Sequence, residues 1–291
     1  MSIFNLGSIN IDHVYQVNGF PNIGETVASF GYEIGLGGKG ANQSVAAAYA
    51  GAKVNHIGAI GAGDDWIIEL VNAKGVSTSN VKISQTPTGH AVICVDQNAE
   101  NTIVIFNGAN CALDLMDIRQ GLMEAKFGDW LLLQNETNLG FEAVKFSKER
   151  GLKIAYSAAP FDCKVVQKIL PFCDLIVMNE LEAQQCEENI LQFEKIINDK
   201  TLIVTKGAVG VDCHYHGEKF SVPAFSVVPI DTTGAGDTFF GFLLAELDKG
   251  SNLKEAIKIA LAAAAIQITE KGAIGAIPHR KVVDAFLEDN K

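Results

Sequence analysis

The sequence predicts a three-layer α/β/α sandwich built on a mainly parallel central sheet and carrying a small β-sheet lid. Three observations predict it. Short apolar runs alternate with helix-length segments through much of the chain, two stretches before residue 107 alternate polar and apolar residues with no helix of their own, and the C-terminal third reads as helix.

The elements follow in order. Residues 3–6 are a short apolar strand, 40–50 a helix of small residues, 54–58 a strand and 64–73 an amphipathic helix. Residues 130–133 are a strand and 140–150 a helix. The strands 153–156 and 175–177 bracket a helix near 163–170, a further helix starts at Glu180, and 202–205 is a strand. Strands that are apolar throughout are buried on both faces, as in a parallel sheet covered by helices. Residues 14–17, 26–34, 90–96 and 101–106 are different: four short strands, with Gln97-Asn-Ala-Glu100 as a hairpin loop between the last two. They are expected to form a small antiparallel sheet projecting from the body. Helices at 236–248, 253–269 and 280–287 complete the chain. The reading is one domain over residues 1–291, with a lid from discontinuous strands at about 12–36 and 88–107.

Composition narrows the partners. The 291 residues are 48% hydrophobic and 20% charged, ordinary for a globular chain with a substantial core. The formal net charge of -11 argues against nucleic acid and against an anionic membrane surface. A phosphate-bearing ligand must therefore be drawn by local donors. No apolar run approaches the ~18–20 residues that span a bilayer, and the N-terminus reads as a strand, not a signal peptide. The six cysteines show no C-x-x-C spacing, which suits free thiols in a cytoplasmic protein.

The most informative segment is Asp231-Thr-Thr-Gly-Ala-Gly-Asp237. Gly234, Ala235 and Gly236 sit at an expected helix N-terminus, where free N–H groups and the helix dipole hold an anion. Asp237 follows in the first turn. A carboxylate beside an anion hole can take the proton of a hydroxyl while the hole holds a phosphoryl group.

A second cluster, Gly35-Leu-Gly-Gly-Lys-Gly40-Ala-Asn42, contains G-x-G-x-x-G but follows a lid strand, not the first strand of a βαβ unit. Nor is it a Walker loop, because Gly40 follows Lys39. Its glycines allow close backbone approach to a polar small molecule, with Lys39 and Asn42 as donors; the plainer alternative is a tight turn before a helix. Asn10 and Asp12 lie two apart beyond the first strand and point to one side, suiting sugar hydroxyls or an Asx turn. Glu136 also stands at a strand end. In Asn179-Glu-Leu-Glu182, Asn179 is a helix cap, and Glu182 can hold a Mg²⁺-bound water. Thr205-Lys-Gly207-Ala-Val-Gly210 joins two strands, as a hairpin turn or a loop over a nucleotide. Cys213-His-Tyr-His216 lacks the partners of a zinc site and reads as a surface strand.

Taken in order, Asn10-x-Asp12, Gly37-Gly-Lys-Gly-Ala-Asn42, Asn179-x-x-Glu182 and Asp231–Asp237 resemble the ribokinase-like (PfkB) family of carbohydrate and nucleoside kinases. The resemblance runs from Leu6 to about Pro278. Gly24-Glu-Thr26, Gly108-Ala-Asn110 and Ala262-Ala-Ala-Ala-Ile266 are similar to the family's ribose-phosphorylating members. The resemblance implies transfer of the ATP γ-phosphoryl to O5 of D-ribose, and a homodimer formed through the lid. It implies sugar contacts from Asn10, Asp12, Gly38, Lys39, Asn42 and Glu136, with Asp237 as base and Gly234, Ala235 and Gly236 as the anion hole. ATP falls to Asn179, to Thr205, Lys206, Gly207, Ala208, Val209 and Gly210, and to Gly236. Glu182 is the implied Mg²⁺-associated acid. Asp231 and Thr233, completed by Gln267, Glu270, Gly272 and Ala276, form an implied K⁺ site. The chain departs from the family at Ser157-Ala-Ala-Pro160, at Leu261 near the expected adenine, and at Ile274-Gly-Ala276, which offers the cation no side-chain oxygen. A family kinase for another sugar or a nucleoside, and a non-catalytic sugar or nucleotide sensor on the same fold, stay open as alternatives.

Overall fold

The computed structural model describes residues 1–98, 100–215 and 217–290. Strand β1 (Ser2–Leu6) lies inside the large sheet, and β2 (Asn10–Gln16) leaves it for a small one. β3 (Gly31–Gly37) returns antiparallel to β2 and delivers the chain to α1 (Lys39–Tyr49). β4 (Lys53–Gly61), α2 (Asp65–Ala73) and β5 (Val76–Ser84) rebuild the body. β6 (Gly89–Val95) and β7 (Asn101–Phe106) then complete the small sheet. α3 (Leu115–Gly121) leads to β8 (Trp130–Leu133), α4 (Gly140–Glu149), β9 (Lys153–Ser157), α5 (Cys163–Ile169) and β10 (Leu175–Asn179). α6 (Glu180–Asn189), α7 (Phe193–Ile197), β11 (Thr201–Thr205), β12 (Gly210–Tyr215) and β13 (Glu218–Pro223) follow. Three helices end the chain, α8 (Ala235–Asp248), α9 (Leu253–Gln267) and α10 (Arg280–Asp289).

Among the described residues the large sheet has nine strands in the order β13-β12-β11-β10-β9-β8-β1-β4-β5. It is parallel from β11 to β5, with β12 and β13 antiparallel at one edge. The period of two along each strand makes two cores. Ile3, Leu132 and Ile203 pack with α1, α8 and α9, whereas Phe4, Leu131, Leu133 and Tyr156 pack with α3 to α6. α8 is buried from Asp237 to Glu246 because it lies between α1 and α9 as well as on the sheet. Among the described residues no helix is long and apolar enough to cross a membrane.

The structure corrects several expectations. The small sheet, ordered β3-β2-β6-β7, is mixed, because β2 and β6 run parallel. The chain between them passes through the body and returns in the same direction, as a crossover connection does. The expected strand at 26–34 is displaced to Gly31–Gly37. β2 ends opposite Gly31, so residues 26–30 have no strand to pair with. β5, α3, α7 and β13 are additional to the elements the sequence pattern predicts; β5 reads Val-Ser-Thr-Ser-Asn-Val-Lys-Ile-Ser, too polar to stand out as an apolar run. The hairpin loop 97–100 includes Ala99, which lies outside the described residues, as does His216. His214 is buried, and no cluster of three or more His, Cys, Asp or Glu able to hold a metal occurs among the described residues.

Candidate active site

The site forms where β1, β8 and β10 end and α1, α6 and α8 begin. Gly234 takes the left-handed conformation at φ 77°, turning the chain into α8 so that Asp237 stands in its first turn. A Cβ on Gly236 would meet no atom within 4 Å, so the turn is open to an incoming group. First-turn N–H groups have no intrahelical acceptor; Ala235 N donates to Thr232 O at 3.3 Å, which leaves those of Gly236 and Asp237 for it.

Asp237 is 8% exposed. Its Oδ2 accepts from Asn42 Nδ2 at 3.0 Å and its Oδ1 from Gln43 Nε2 at 2.8 Å. Burial pushes its pKa up, partly offset by the Lys39 ammonium and the two amide donors. Burial works against the charge of Lys39, yet Asp237, Glu136 and Glu182 hold its pKa above the ordinary value. Asp237 thus sits in a dry setting, with the Lys39 ammonium as the one cation that lowers its pKa. Oδ1 of Asn42 is buried without a hydrogen-bond partner, an acceptor suited to a hydroxyl donor.

The start of α1 is pressed against the exit of β1. Ala41 N donates to Ser8 O at 2.9 Å and Gly40 N to Ser8 Oγ at 3.2 Å. Gly38 has φ 93°, and a Cβ there would lie 2.9 Å from both Asn10 N and Ser8 O. Glu136 Oε2 accepts from Lys39 N at 3.1 Å and from Ser8 Oγ. Burial raises the pKa of Glu136, with Lys39 and Ser8 pulling the other way. Asp12 is pushed up to about 6, by burial first and then by the Glu136 charge. Gly37 makes room for it, since a Cβ there would lie 2.1 Å from Asp12 Oδ2. Asn10 Oδ1 accepts from Asn110 Nδ2 at 2.7 Å, while Ile9 N donates to Asn110 Oδ1 at 2.9 Å. Asn10 thus keeps its own Nδ2 free to donate.

The remaining candidates form two further groups. Asn179 and Glu182 make a reciprocal capping box on α6, with Asn179 N donating to Glu182 Oε2 and Glu182 N to Asn179 Oδ1, both at 2.8 Å. Burial raises the Glu182 pKa, offset by the Asn179 N–H and by Lys39. Thr205 ends β11, and Gly207, Ala208 and Val209 form a short 3-10 turn with Val209 exposed. Lys206 Nζ pairs with Asp212 at 2.7 Å on the surface, and Gly210 lies so close to β13 that a Cβ would meet Val222 O at 2.1 Å. Behind the α8 turn, Asp231 Oδ1 accepts from Thr233 N and its Oδ2 from Gly272 N, both at 2.9 Å. Gln267 Nε2 donates to Thr233 O at 2.7 Å and Ala273 O at 3.4 Å. Glu270 and Ala276 are joined to this cluster through backbone bonds to Gln267 and Ala273.

The structure adds residues that the motifs did not single out: Asn5, Ser8, Gln43, Asn110 and Gln134, all buried and polar around the same strand ends. For Asn5 and Gln134 the signal is a polar side chain interrupting or ending an apolar strand, as in Ile3-Phe-Asn5-Leu and Leu131-Leu-Leu-Gln134; Ser8, Gln43 and Asn110 carry no such signal.

Comparison with known proteins bears on this site. Residues 2–280 match the family described as pfkB family carbohydrate kinase. A ribokinase of Haemophilus influenzae is 40% identical, over 97% of this chain and 97% of that protein. A solved ribokinase of Thermotoga maritima superposes with a TM-score of 0.88 at 35% identity, covering 99% of each chain. An Arabidopsis thaliana ribokinase complexed with ribose and ATP also gives 0.88, at 26% identity and covering 99% and 98% of the two chains.

Proposed function

The chain belongs to the pfkB family of carbohydrate kinases, and on that premise we propose that it phosphorylates D-ribose, moving the γ-phosphoryl group of ATP to the O5 hydroxyl. The observation that carries this reading is the buried Asp237 carboxylate, gripped by Asn42 and Gln43 in the open first turn of α8, with Lys39 and Glu136 beside it. Asp237 takes the O5 proton as attack begins, and the α8 turn around Gly234, Ala235 and Gly236 holds the transferring oxygens. Asn10, Asp12, Gly38, Lys39, Asn42 and Glu136 hold the sugar. Five are polar or charged side chains crowded into a small space, which suits a polyhydroxylated acceptor better than a nucleoside base.

ATP use is supported by the ribose- and ATP-bound Arabidopsis relative. In this chain Asn179 and the 205–210 turn border its path. Lys206 is tied to Asp212, so the turn contributes through its backbone. Mg²⁺ fits Glu182, because one carboxylate oxygen is held by the α6 cap and the other is left for a metal-bound water. When bound, the metal neutralises phosphate charge. A monovalent cation such as K⁺ fits behind the turn: the Thr233 and Ala273 carbonyls and the Asp231 carboxylate gather there, and Gln267 Oε1 is buried without a partner. Such a cation adds positive potential behind the anion hole. Activity is therefore expected to fall in K⁺-free buffer; equal turnover with and without K⁺ would argue against the site.

The small sheet serves as a lid and as the contact of a homodimer. One rung across it, Ile34–His13–Val92–Val104, places three apolar residues beside His13 on a single face, and Ile34 and Val104 are 57% and 68% exposed. A second copy covering that face removes it from water. Sedimentation should show a dimer that Val104→Glu converts to monomer; a monomeric wild type would contradict the contact. The free thiols suit a reducing, cytoplasmic setting.

Sugar affinity should depend on pH through Asp12. Its raised pKa means that it is ionised above about 6 and loses its charge as pH falls through that value. KM for the sugar should rise toward tenfold per pH unit below that point. Asp12→Asn should flatten this limb, and a wild-type KM constant from pH 8 to 5 would remove Asp12 from the sugar contacts.

The reading as a whole is tested by ADP release measured across pentoses, 2-deoxyribose, hexoses and nucleosides. The highest kcat/KM is expected for D-ribose. A clear preference for a nucleoside would move the chain to another branch of its family.

A further inference from the structure

A single run of buried side-chain hydrogen bonds leads from Asp237 into the body of the protein. Gln43 Nε2 donates to Asp237 Oδ1 at 2.8 Å. Gln134 Nε2 donates to Gln43 Oε1 at 2.7 Å and to Asn5 Oδ1 at 3.1 Å. Asn5 Nδ2 donates to the Gly40 carbonyl and to Ser44 Oγ, both at 2.8 Å. Ser44 Oγ, already accepting there, donates its O–H to His56 Nδ1 at 2.8 Å, because His56 Nε2–H donates to the Gly7 carbonyl at 3.1 Å. Asn5, Gln43, Ser44, His56 and Gln134 are each 2% exposed or less.

The direction of every bond in this run is dictated from one end. A backbone carbonyl only accepts, so the Gly40 carbonyl obliges Asn5 to present its NH₂. Asn5 then turns its oxygen to Gln134, which must offer NH₂. Gln134 faces two acceptors with that NH₂, and so obliges Gln43 to turn its oxygen inward. Gln43 is left with only N–H groups for Asp237. The price is visible: Gln134 Oε1 is buried without a partner.

We propose that Gln134, which lies beyond the sugar contacts on the loop after β8, is a positioning residue for the base, fixing the Gln43 amide so that only an N–H can face Asp237. The proposal rests on the reading of Asp237 as base. An N–H donor favours the ionised carboxylate, and a protonated Asp237 has no acceptor at Gln43 to receive its proton. Turning Gln43 around would set two NH₂ groups against each other at Gln134, at a buried site that water does not relieve. The ladder therefore opposes the effect of burial on Asp237. The charged groups facing Asp237 are Lys39 from α1 and Glu136 from the loop after β8, with Asp12 and Glu182 acting on those two. None of them belongs to the ladder. Its one titratable member, His56, is held neutral by burial, at about 4.

The test is the pH dependence of kcat at saturating sugar and ATP for wild type, Gln134→Met, Gln43→Met and the double variant. Gln134→Met should move the acid limb up by about one pH unit, the scale of a hydrogen bond to a charged group. Sugar KM at pH 8 should stay within a few-fold. In the Gln43→Met background the Gln134 substitution should move the limb no further, because Gln134 acts through Gln43. Should Gln134→Met not fold, the uncharged Gln134→Leu serves, since it too removes the N–H that turns the Gln43 oxygen inward; the same upward shift is expected. The proposal is overturned if a folded Gln134 variant keeps the wild-type acid limb, or if it shifts the limb equally with and without Gln43. Asp237→Asn run alongside separates the two readings: turnover within tenfold of wild type removes the base itself, whereas a large loss with an unmoved Gln134 profile removes only the ladder.

Discussion

Asp237→Asn should lower kcat by ~10²–10⁴-fold or more while leaving sugar binding largely in place. The substitution removes the proton acceptor and little else. Asn10, Asp12, Lys39 and Glu136 come from other elements, so the sugar contacts survive. An asparagine at 237 can keep its oxygen on the Gln43 N–H and turn its NH₂ to Asn42, whose amide is free to present its unpartnered Oδ1. The variant should fold. The carboxylate it removes is destabilised by burial, and relief of that strain offsets the ~0.3–1 kcal/mol that a first-turn acid contributes against the helix dipole. Turnover within tenfold of wild type would exclude Asp237 as the base.

The second large effect is expected from Gly40→Ala. A Cβ on Gly40 would lie 2.3 Å from Ser8 N and 2.4 Å from Gly7 C and Cα. All three are backbone atoms, so no rotamer change relieves the contact. The start of α1 must move off the end of β1, and it carries Lys39, Asn42 and Gln43. Overpacking of this kind costs ~1–3 kcal/mol, and displacing reacting groups by about 1 Å can cost ~10²-fold in rate. Melting temperature and kcat should therefore fall together. Gly19→Ala is the control, because a Cβ there meets nothing within 4 Å. A Gly40→Ala enzyme with wild-type kcat would show that the close packing of α1 on β1 is not what places the site.

Much of this site is legible in the sequence because its parts are local. A glycine-rich turn ahead of a helix needs no tertiary information to be read as an anion site, and Asp237 follows within the same turn. The period of two places Asn10 and Asp12 on one side, and by itself leaves sugar contact and an Asx turn both open. The central strands β1, β4, β8, β9, β10 and β11 are legible because burial on both faces leaves them mainly apolar, with Asn5, Asn55 and His56 among the exceptions. What was not legible depends on partners far along the chain. Gln134 looks like the first residue of a loop until Asn5 and Gln43 are brought to it from 129 and 91 residues away. Asn110 reads as part of a short motif until its amide is seen holding Asn10. The parallel pairing of β2 with β6 is equally non-local, since it depends on the route taken by the chain between them. β5 failed for another reason: it lies at the edge of the large sheet, where serine and threonine are tolerated and no apolar run is required.

The most direct measurement is the product itself. Phosphorus NMR of a reaction containing the protein, D-ribose, ATP and Mg²⁺ should show ADP and a phosphomonoester in equal amounts, the ester coupled to the two protons on C5. That pattern identifies transfer to the primary hydroxyl. Inorganic phosphate in place of the ester, an ester on C1, or unchanged ATP would contradict the account.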